Sequence, residues 1–351
     1  MKLKKRYYIL GIVLALIFLV SCSESTLVSS ESETINKDSL KVDGDLKIHY
    51  IDVGQGDCIL VQTKQNTLLI DAGENNQGKK VIAYLENLGI QKLDYVIGTH
   101  PHSDHIGGLD EVINRFEIGN VIMPKVAHTT KTYEDVLKAI QKKGLKIKSP
   151  RVGDQYKLGE ATIDILGPKQ SKYEDINDYS VVCKVTFGKN KFLFTGDAEA
   201  LAEKEMLAQN LDLSADVLKV GHHGSRTSSS EGFLKKVNPK YAVIQLGKEN
   251  DYGHPHKETL EKFKARHIDV YRTDLMGNII LTSDGSQINI LNDKPVDIQT
   301  IANEAYIGNK NSKTYHLPSC KTLPKKENQI SLTAKDIEAG NYKPCSRCII
   351  K

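Results

Sequence analysis

The stretch T-H-P-H-S-D-H-I-G-G, Thr99 to Gly108, places three imidazoles and a carboxylate within six residues. His100 and His102 follow a predicted strand two residues apart, so both rings can face one metal ion. Asp104 and His105 follow in a turn and can face a second ion close by. Histidine nitrogen and carboxylate oxygen together suit zinc or manganese. A histidine-rich surface loop that binds metal incidentally is the alternative, but it does not explain this ordered spacing between a strand and a glycine pair.

A two-metal site needs further ligands, and the chain offers them at the ends of other predicted strands. Asp197 ends F-L-F-T-G-D, a position suited to a carboxylate that bridges two metals. His222 and His223 follow L-K-V-G, and the sequence does not decide which of the two turns inward. His254 follows in E-N-D-Y-G-H, and Asp71 closes L-L-I-D-A-G, where it could orient a ligand. One Asp at a strand end is ordinary, whereas several such ends carrying His or Asp predict a metal centre.

Strand-like and helix-like segments are mixed throughout residues 46–292. The runs L-K-I-H-Y-I-D-V, C-I-L-V-Q-T and T-L-L-I-D-A predict three successive strands. Residues Gln77–Leu88 have the apolar spacing of a helix. The mixture predicts an α/β sandwich with two sheets inside and helices on the outer faces. Residues 293–304 are polar and are predicted to link this domain to a small tail.

These motifs resemble those of the metallo-β-lactamase-fold hydrolases, in particular the soluble hydrolase domain attached to the ComEC competence (DNA-uptake) channel. The matching pieces, in chain order, are D-V-G-Q-G-D (Asp52–Asp57), L-L-I-D-A-G (Leu68–Gly73), T-H-P-H-S-D-H-I-G-G, N-D-Y-S-V-V (Asn177–Val182), F-T-G-D (Phe194–Asp197), K-V-G-H-H-G-S (Lys219–Ser225) and Y-G-H-P (Tyr252–Pro255). The resemblance implies an αββα sandwich. It does not extend to transport, because no apolar segment after the start of the chain approaches the length that spans a membrane.

The resemblance also implies roles for individual residues. The first metal is expected on His100 and His102, and the second on Asp104, His105 and His222, with Asp197 bridging the two and His223 as the alternative to His222. Many relatives place a further histidine before the bridging Asp, but only His128 lies there, in an A-H-T-T loop. The segment N-D-Y-S stands in its place. Asp178 or Asn177 is therefore the candidate for that position, and the identity of the first metal stays open between zinc and manganese.

The predicted activity is hydrolysis of phosphodiester bonds, with DNA as the expected substrate and a hydroxide activated by two metals as the nucleophile. Asp104, His223 and His254 are the predicted catalytic residues, with either His223 or His254 as the proton donor to the leaving oxygen. Further residues are predicted to orient ligands or to contact substrate, namely Asp57, Asp71 and Ser225. Two rival functions are a small-molecule hydrolase of the lactone or β-lactam type and a non-catalytic DNA-binding lipoprotein, since one fold serves many chemistries.

The tail, residues 305–351, contains one histidine and three cysteines in two close pairs, His316 with Cys320 and Cys345 with Cys348. Such a set suits a structural zinc ion that holds together a module with little core. A disulfide between two of the cysteines is the alternative. The segment is similar to the small zinc-binding module of the Ada DNA-repair protein. Residues 301–351 carry nine Lys or Arg against four Asp or Glu, a net charge of +5 that favours contact with nucleic-acid phosphates.

The first 22 residues have a basic start and an apolar run, which is typical of a secretory signal peptide. The run ends in L-V-S-C at Cys22, which resembles the lipobox of bacterial lipoproteins. Residues 23–45 are rich in Ser, Glu and Asp and are predicted to be a flexible spacer. The expected location is the outer face of the cytoplasmic membrane, through a lipid anchor, or outside the cell. DNA-uptake machinery is the expected partner, and the sequence does not indicate an oligomeric state.

Overall fold

The computed structural model of the chain describes residues 45–248, 250–292, 306–316, 320, 322–332, 336–337 and 340–347. Within these ranges the chain forms nineteen strands in three sheets and eight helices. The predicted signal peptide, the predicted linker at 293–304, Cys348 and all of the predicted spacer except Asp45 lie outside the described residues. None of the described helices has the length and apolar character needed to span a membrane.

The first sheet has eight strands. In spatial order they are β15 (Ile288–Ile290), β14 (Ile279–Ser283), β1 (Leu46–Tyr50), β2 (Ile59–Thr63), β3 (Thr67–Ile70), β4 (Lys92–Ile97), β5 (Glu117–Ile122) and β6 (Ile147–Lys148). Neighbours from β15 to β3 are antiparallel, whereas β3 to β6 run parallel.

The second sheet has seven strands. In spatial order they are β13 (Asp269–Arg272), β12 (Tyr241–Ile244), β11 (Val217–Lys219), β10 (Asn190–Phe194), β9 (Val182–Phe187), β8 (Ala161–Gly167) and β7 (Gln155–Leu158). Here β10 to β13 run parallel and β7 to β10 are antiparallel. Each sheet therefore has a parallel region, where polar residues that follow several strands meet at one edge.

The helices cover the outer faces of the two sheets. They are α1 (Gly78–Asn87), α2 (Ser103–Ile106), α3 (Leu109–Arg115), α4 (Lys131–Lys142), α5 (Ala200–Ala208), α6 (Glu231–Val237), α7 (Lys257–Ala265) and α8 (Thr273–Met276). Apolar residues of α1, α3 and α4 pack in one buried cluster with the first sheet, and those of α5, α6 and α7 in another with the second. A third cluster lies between the sheets, where Tyr50 contacts Phe194. These four layers confirm the predicted αββα sandwich.

Most of the predicted elements are present, and those missed are short or polar. The strand β6 has two residues, both exposed, and β7 alternates polar with apolar residues over only four positions. The tail forms a third sheet that the sequence did not predict, in the spatial order β18 (Gln329–Leu332), β16 (Tyr306–Asn309), β17 (Thr314–His316) and β19 (Lys343–Pro344). Short strands with few buried apolar positions carry little periodic signal.

Two glycines allow the loop between β4 and α3 to pack closely on its neighbours. A Cβ atom on Gly107 would lie 2.3 Å from the backbone nitrogen of Asn75 and 2.4 Å from the carbonyl oxygen of Ser103. A Cβ atom on Gly108 would lie 2.6 Å from the carbonyl oxygen of Ala72. Since backbone atoms cannot move aside cheaply, the glycine pair fixes how the histidine-rich loop rests on the first sheet.

Candidate active site

Metal-capable side chains from both sheets converge on one carboxylate oxygen, Oδ2 of Asp197. The Nε2 atoms of His105 and His223 lie 3.2 and 3.5 Å from it, and those of His222 and His100 lie 3.9 and 4.0 Å away. The carboxylate follows β10 of the second sheet, whereas His100 and His105 belong to the loop after β4 of the first. Four imidazoles thus approach this one carboxylate, whose predicted role as a bridge between two metals stays a prediction.

His100 and His102 form one half of the site. Nε2 of His100 lies 2.9 Å from Nδ1 of His102, and His100 is completely buried. Ser180 stands beside them, with its Oγ 3.4 Å from Nδ1 of His100 and accepting a hydrogen bond from the backbone nitrogen of Asp197. The serine of N-D-Y-S therefore lies against the first histidine.

Asp178 is used differently from the sequence prediction. Its Oδ1 accepts hydrogen bonds from the backbone nitrogens of Glu199 and Ala202, at the beginning of α5. Asn177 donates from Nδ2 to a side-chain oxygen of Glu199. Neither residue belongs to the groups of converging ligand atoms among the described residues. The predicted ligand role of Asp178 stays a prediction, and the position of Ser180 gives a competing candidate.

Asp104, His105, Asp197 and His223 form the other half, with one ligand atom from each lying within 4.8 Å of the others. Nε2 of His223 lies 3.3 Å from Oδ2 of Asp104. His223 is 1% exposed, whereas the side chain of His222 is 24% exposed. The structure thus places His223, the alternative left open by the sequence, inside this group.

An unusual turn separates the two adjacent histidines. His222 and His223 have φ angles of 47° and 50°, in the left-handed region that residues with a Cβ seldom adopt. His223 donates from Nδ1 to the carbonyl oxygen of Gln245, which leaves its Nε2 facing the carboxylates. His222 instead has Nδ1 2.8 Å from Oε1 of Glu199 and Nε2 3.9 Å from Oδ2 of Asp197. Two neighbours of one residue type therefore occupy two different environments.

Two buried carboxylates lie behind the imidazoles. Asp71 accepts hydrogen bonds from the backbone and hydroxyl of Thr99, and its Oδ2 lies 2.8 Å from Nδ1 of His105. Asp57 has Oδ1 3.4 Å from Nδ1 of His223 and Oδ2 2.6 Å from Nζ of Lys219. Fixing one ring nitrogen directs the other nitrogen of each imidazole towards Asp197.

The charges of the site favour a bound cation. Burial raises the pKa of Asp197, but His105 and His223 beside it lower that pKa well below the ordinary range. Burial likewise raises the pKa of Asp104, and the same two histidines bring it below its usual value. Burial lowers the pKa of His105, whereas Asp197 and Asp104 raise it well above the ordinary value. Ionised Asp104 and Asp197 thus lie beside Nε2 of His105. Their negative charges require either a proton on that nitrogen or a metal ion bound by all three groups.

The buried polar atoms test whether a metal fits. Among the residues that the structure describes, Nε2 of His105, Nε2 of His223 and Oδ1 of Asp197 are buried and have no hydrogen-bond partner. Buried polar atoms are normally satisfied, so a group of orphans that face one another needs a common partner. Imidazole nitrogens and carboxylate oxygens are the ligands that zinc and manganese prefer. The residues present fit a divalent metal centre.

A cavity of about 210 Å³ opens onto these atoms. Its lining consists of Gln55, His102, Ser103, Asp104, Asp197, His222, His223, Tyr252 and His254. All three predicted catalytic residues belong to it. Burial and the neighbouring His223 and His222 lower the pKa of His254 to about 3.

Ser225 does not line this cavity. It is 3% exposed, and its hydroxyl lies 2.9 Å from that of Thr227, within the turn that follows the two histidines. Its carbonyl oxygen accepts a hydrogen bond from the hydroxyl of Thr259 in α7. These contacts brace the turn, so the predicted contact of Ser225 with substrate stays a prediction.

The sequence analysis missed three residues that support the site. Lys219 is completely buried and pairs with Asp57, although it reads as a solvent-facing lysine of a short strand. Glu199, two residues after Asp197, has its carboxylate within hydrogen-bond distance of Nδ1 of His222 and accepts a hydrogen bond from the hydroxyl of Thr227. Gln245 donates from Nε2 to two carbonyl oxygens of the first sheet's loop. Lys219 begins the motif K-V-G-H-H-G-S, but the sequence analysis predicted no role for it.

The tail holds a second group of potential metal ligands. One ligand atom each from His316, Cys320 and Cys345 lies within 4.8 Å of the others, and all three residues are buried. Nδ1 of His316 lies 3.4 Å from Sγ of Cys320. Oγ1 of Thr322 lies 3.3 Å from Sγ of Cys320 and 4.0 Å from Sγ of Cys345, and the predicted disulfide alternative stays a prediction.

Residues 51–248 match the family described as the Metallo-beta-lactamase superfamily. The chain belongs to the metallo-beta-lactamase superfamily, whose members are generally metal-dependent hydrolases. Among solved structures it is similar to the metallo-beta-lactamase fold protein YhfI from Bacillus subtilis, with 16% identity and a TM-score of 0.45 over 65% of this chain and 96% of that chain.

Two curated relatives are competence proteins. ComE operon protein 3 of Bacillus subtilis (strain 168) is 33% identical over 251 residues, which are 66% of this chain and 32% of the relative. Competence protein ComA of Neisseria gonorrhoeae is 31% identical over 228 residues, which are 64% of this chain and 30% of the relative. The chain therefore spans about a third of the length of these relatives. The predicted resemblance to the superfamily and to competence proteins is confirmed, whereas the resemblance of the tail to the Ada module stays a prediction.

The buried pair of Lys219 and Asp57 gives a prediction about stability. Replacing Lys219 by Met leaves the carboxylate of Asp57 buried without its cation, so the free energy of unfolding should fall by about 3–5 kcal/mol. The double variant Lys219→Met with Asp57→Asn should recover much of this loss, because no uncompensated charge remains. Urea unfolding in the presence of a chelator measures the protein alone.

The same substitution on a surface pair is the control. Lys138 pairs with Glu134 within α4, and both side chains are more than half exposed. Lys138→Met should change the urea midpoint only slightly, since exposed pairs of this spacing contribute little. A Lys219→Met protein as stable as the native chain would contradict the role given to the buried pair.

Proposed function

We propose that this protein is a metal-dependent phosphodiesterase that cleaves DNA. The observation that carries the proposal is the convergence on Oδ2 of Asp197, inside a cavity, of imidazoles that have no other partner for their facing nitrogens. Divalent metals bound there would activate water and stabilise negative charge on a phosphoryl group. The rival reading of a non-catalytic binding protein gives no reason for an open cavity at such a centre.

Individual residues of the chain have definable tasks in this reaction. His100 and His102 would hold one metal, and Asp104, His105 and His223 the other, with Asp197 between them. Asp71 and the carbonyl oxygen of Gln245 keep the rings of His105 and His223 in place. His254 lines the cavity as a neutral imidazole, a form that accepts protons, so its predicted role as proton donor to the leaving oxygen stays a prediction.

DNA is the proposed substrate because one relative of the chain is named as a competence protein and another as a ComE operon protein. A role beside a DNA-uptake machinery follows from the same likeness. The net charge of +5 on residues 301–351 adds a second argument, since a basic tail attracts phosphates along an extended polymer. A small lactone or β-lactam would gain nothing from such a tail.

Substitution of a metal ligand tests this activity. Asp104→Ala removes a carboxylate from the second group of ligands, and the rate of metal-dependent cleavage of single-stranded DNA should fall by about 100-fold or more. The assay measures cleavage of a labelled oligonucleotide and of bis-p-nitrophenyl phosphate with Mn²⁺ or Zn²⁺, and hydrolysis of a lactone beside them.

Asp269→Ala is the matched control, because Asp269 is an exposed residue of the edge strand β13. This variant should retain the native rate on both phosphodiesters. Turnover of the lactone with no cleavage of phosphodiesters would contradict the proposal in favour of the small-molecule hydrolase. Absence of any turnover would favour the non-catalytic binding protein.

We also propose that the tail holds one structural zinc ion on His316, Cys320, Cys345 and Cys348. The first three residues already converge in a buried group, and a small four-stranded sheet has little apolar core to hold it together. A zinc ion on these ligands would fix β17 and the chain around Cys345 as one unit.

Metal content separates this site from the active site. Cys320→Ala should lower the zinc bound per chain by one equivalent and leave phosphodiester cleavage of small substrates intact, as measured by elemental mass spectrometry and by assay. Cys183→Ala is the control, because Cys183 is a buried core residue that should leave the metal content unchanged. Unchanged zinc in the Cys320 variant would refute the site.

We propose, finally, that the protein is exported and anchored by lipid at Cys22, or secreted. The support is the sequence pattern of residues 1–22, which lie outside the described residues. Expression in a bacterial host with labelled palmitate should yield a labelled membrane protein, and Cys22→Ser should abolish the label. A native chain that takes up no label would count against the anchor, and its recovery from the medium would then indicate secretion.

A further inference from the structure

A tyrosine ring stands at the mouth of the metal-lined cavity. Tyr252 contributes to the lining, yet it is 63% exposed, more than any other large apolar residue in the described part of the chain. Exposed aromatic rings beside a catalytic cavity are costly to leave in water and are typical of recognition surfaces. Neither the proposed metal sites nor the proton-transfer residues require a ring at this place.

The ring is held in a defined position. It stacks on the imidazole of His254, with 5.7 Å between the ring centroids and 21° between the planes. His254 in turn packs edge-on against His222, which is itself fixed by Glu199. One face of Tyr252 is therefore covered by His254, and the other is available to a flat ligand.

The loop that carries the tyrosine is closed by one side chain. Asn250 donates from Nδ2 to the carbonyl oxygens of Gly247 and His254, and its Oδ1 accepts from the backbone nitrogen of His254. These three hydrogen bonds tie together both sides of the turn whose tip is Tyr252. Because the loop already fixes the ring before a ligand binds, the ring loses little conformational freedom when a ligand stacks on it.

The size of the cavity limits which part of a substrate can contact the ring of Tyr252. Its volume of about 210 Å³ lies below the roughly 300–1,000 Å³ of sites that enclose a drug-sized ligand. A phosphodiester group can enter a cavity of this size, and a base next to that phosphate would then lie at the mouth, where Tyr252 stands.

We propose that Tyr252 is a stacking platform for a nucleobase adjacent to the scissile phosphate, and that it selects single-stranded nucleic acid. The inference rests on the proposed phosphodiesterase function and names its substrate class. An isolated ring can stack only on a base whose face is open, and in a duplex both faces of each base are already covered. Because every base has such a face, the platform tolerates any sequence.

Substrates with and without bases test the platform directly. One substrate is a labelled single-stranded oligonucleotide, and the other has the same length and backbone but carries abasic residues around the cleavage position. Tyr252→Leu should lower kcat/KM for the first substrate about tenfold or more, mainly through a higher KM, because base stacking on one aromatic residue is of this size. Its rate on the abasic substrate should equal that of the native protein.

Tyr252→Phe is the matched control, since it keeps the ring and removes only the hydroxyl. It should retain the native preference for the substrate with bases, and thermal unfolding should show that both variants are folded. Equal losses on the two substrates, or no loss on either, would overturn the platform. A native protein that cleaves neither oligonucleotide would instead overturn the proposed function on which the platform rests.

Discussion

The two sheets meet around one buried carboxylate, that of Asp57. Its side chain contacts Lys219 from β11 of the second sheet and lies beside His105 and His223, which follow strands of different sheets. Its backbone nitrogen donates to the carbonyl oxygen of Asp104. A carboxylate buried this deeply requires a cation and fixed donors, so its position determines how the sheets face each other. The metal centre can form only where that requirement is met.

Further hydrogen bonds around Asp57 also hold the imidazoles and link the two sheets. Asp71 holds His105 from the first sheet, Gln245 holds His223 from the second, and the side chain of Gln245 also donates across to Ile51 and Cys58. Each imidazole is thus fixed at one nitrogen by a group that also joins the layers of the fold. Positioning of the ligands and packing of the sheets are one network of hydrogen bonds.

The sequence predicted most of the residues that converge at Asp197 because of where they lie on the strands. His100 and Asp197 follow parallel strands, and polar residues in such positions meet at one edge whatever the details of packing. It did not predict the choice between His222 and His223, which depends on two consecutive left-handed residues. Lys219 was missed because burial of a lysine depends on a partner 162 residues away in the chain, Asp57. The strands of the tail were missed because they are short and half-exposed.

The division of the site between the sheets has a consequence for the whole molecule. The loop after β4 supplies His100 to His105, and the second sheet supplies Asp197 and His223, so a metal bound by both sets joins two layers of one domain. A metal that binds only when the two layers are packed together raises the free energy of unfolding of that packed state. Chelating agents would therefore act on this protein as mild denaturants, and the supply of metal would set its lifetime against proteases as well as its catalytic rate.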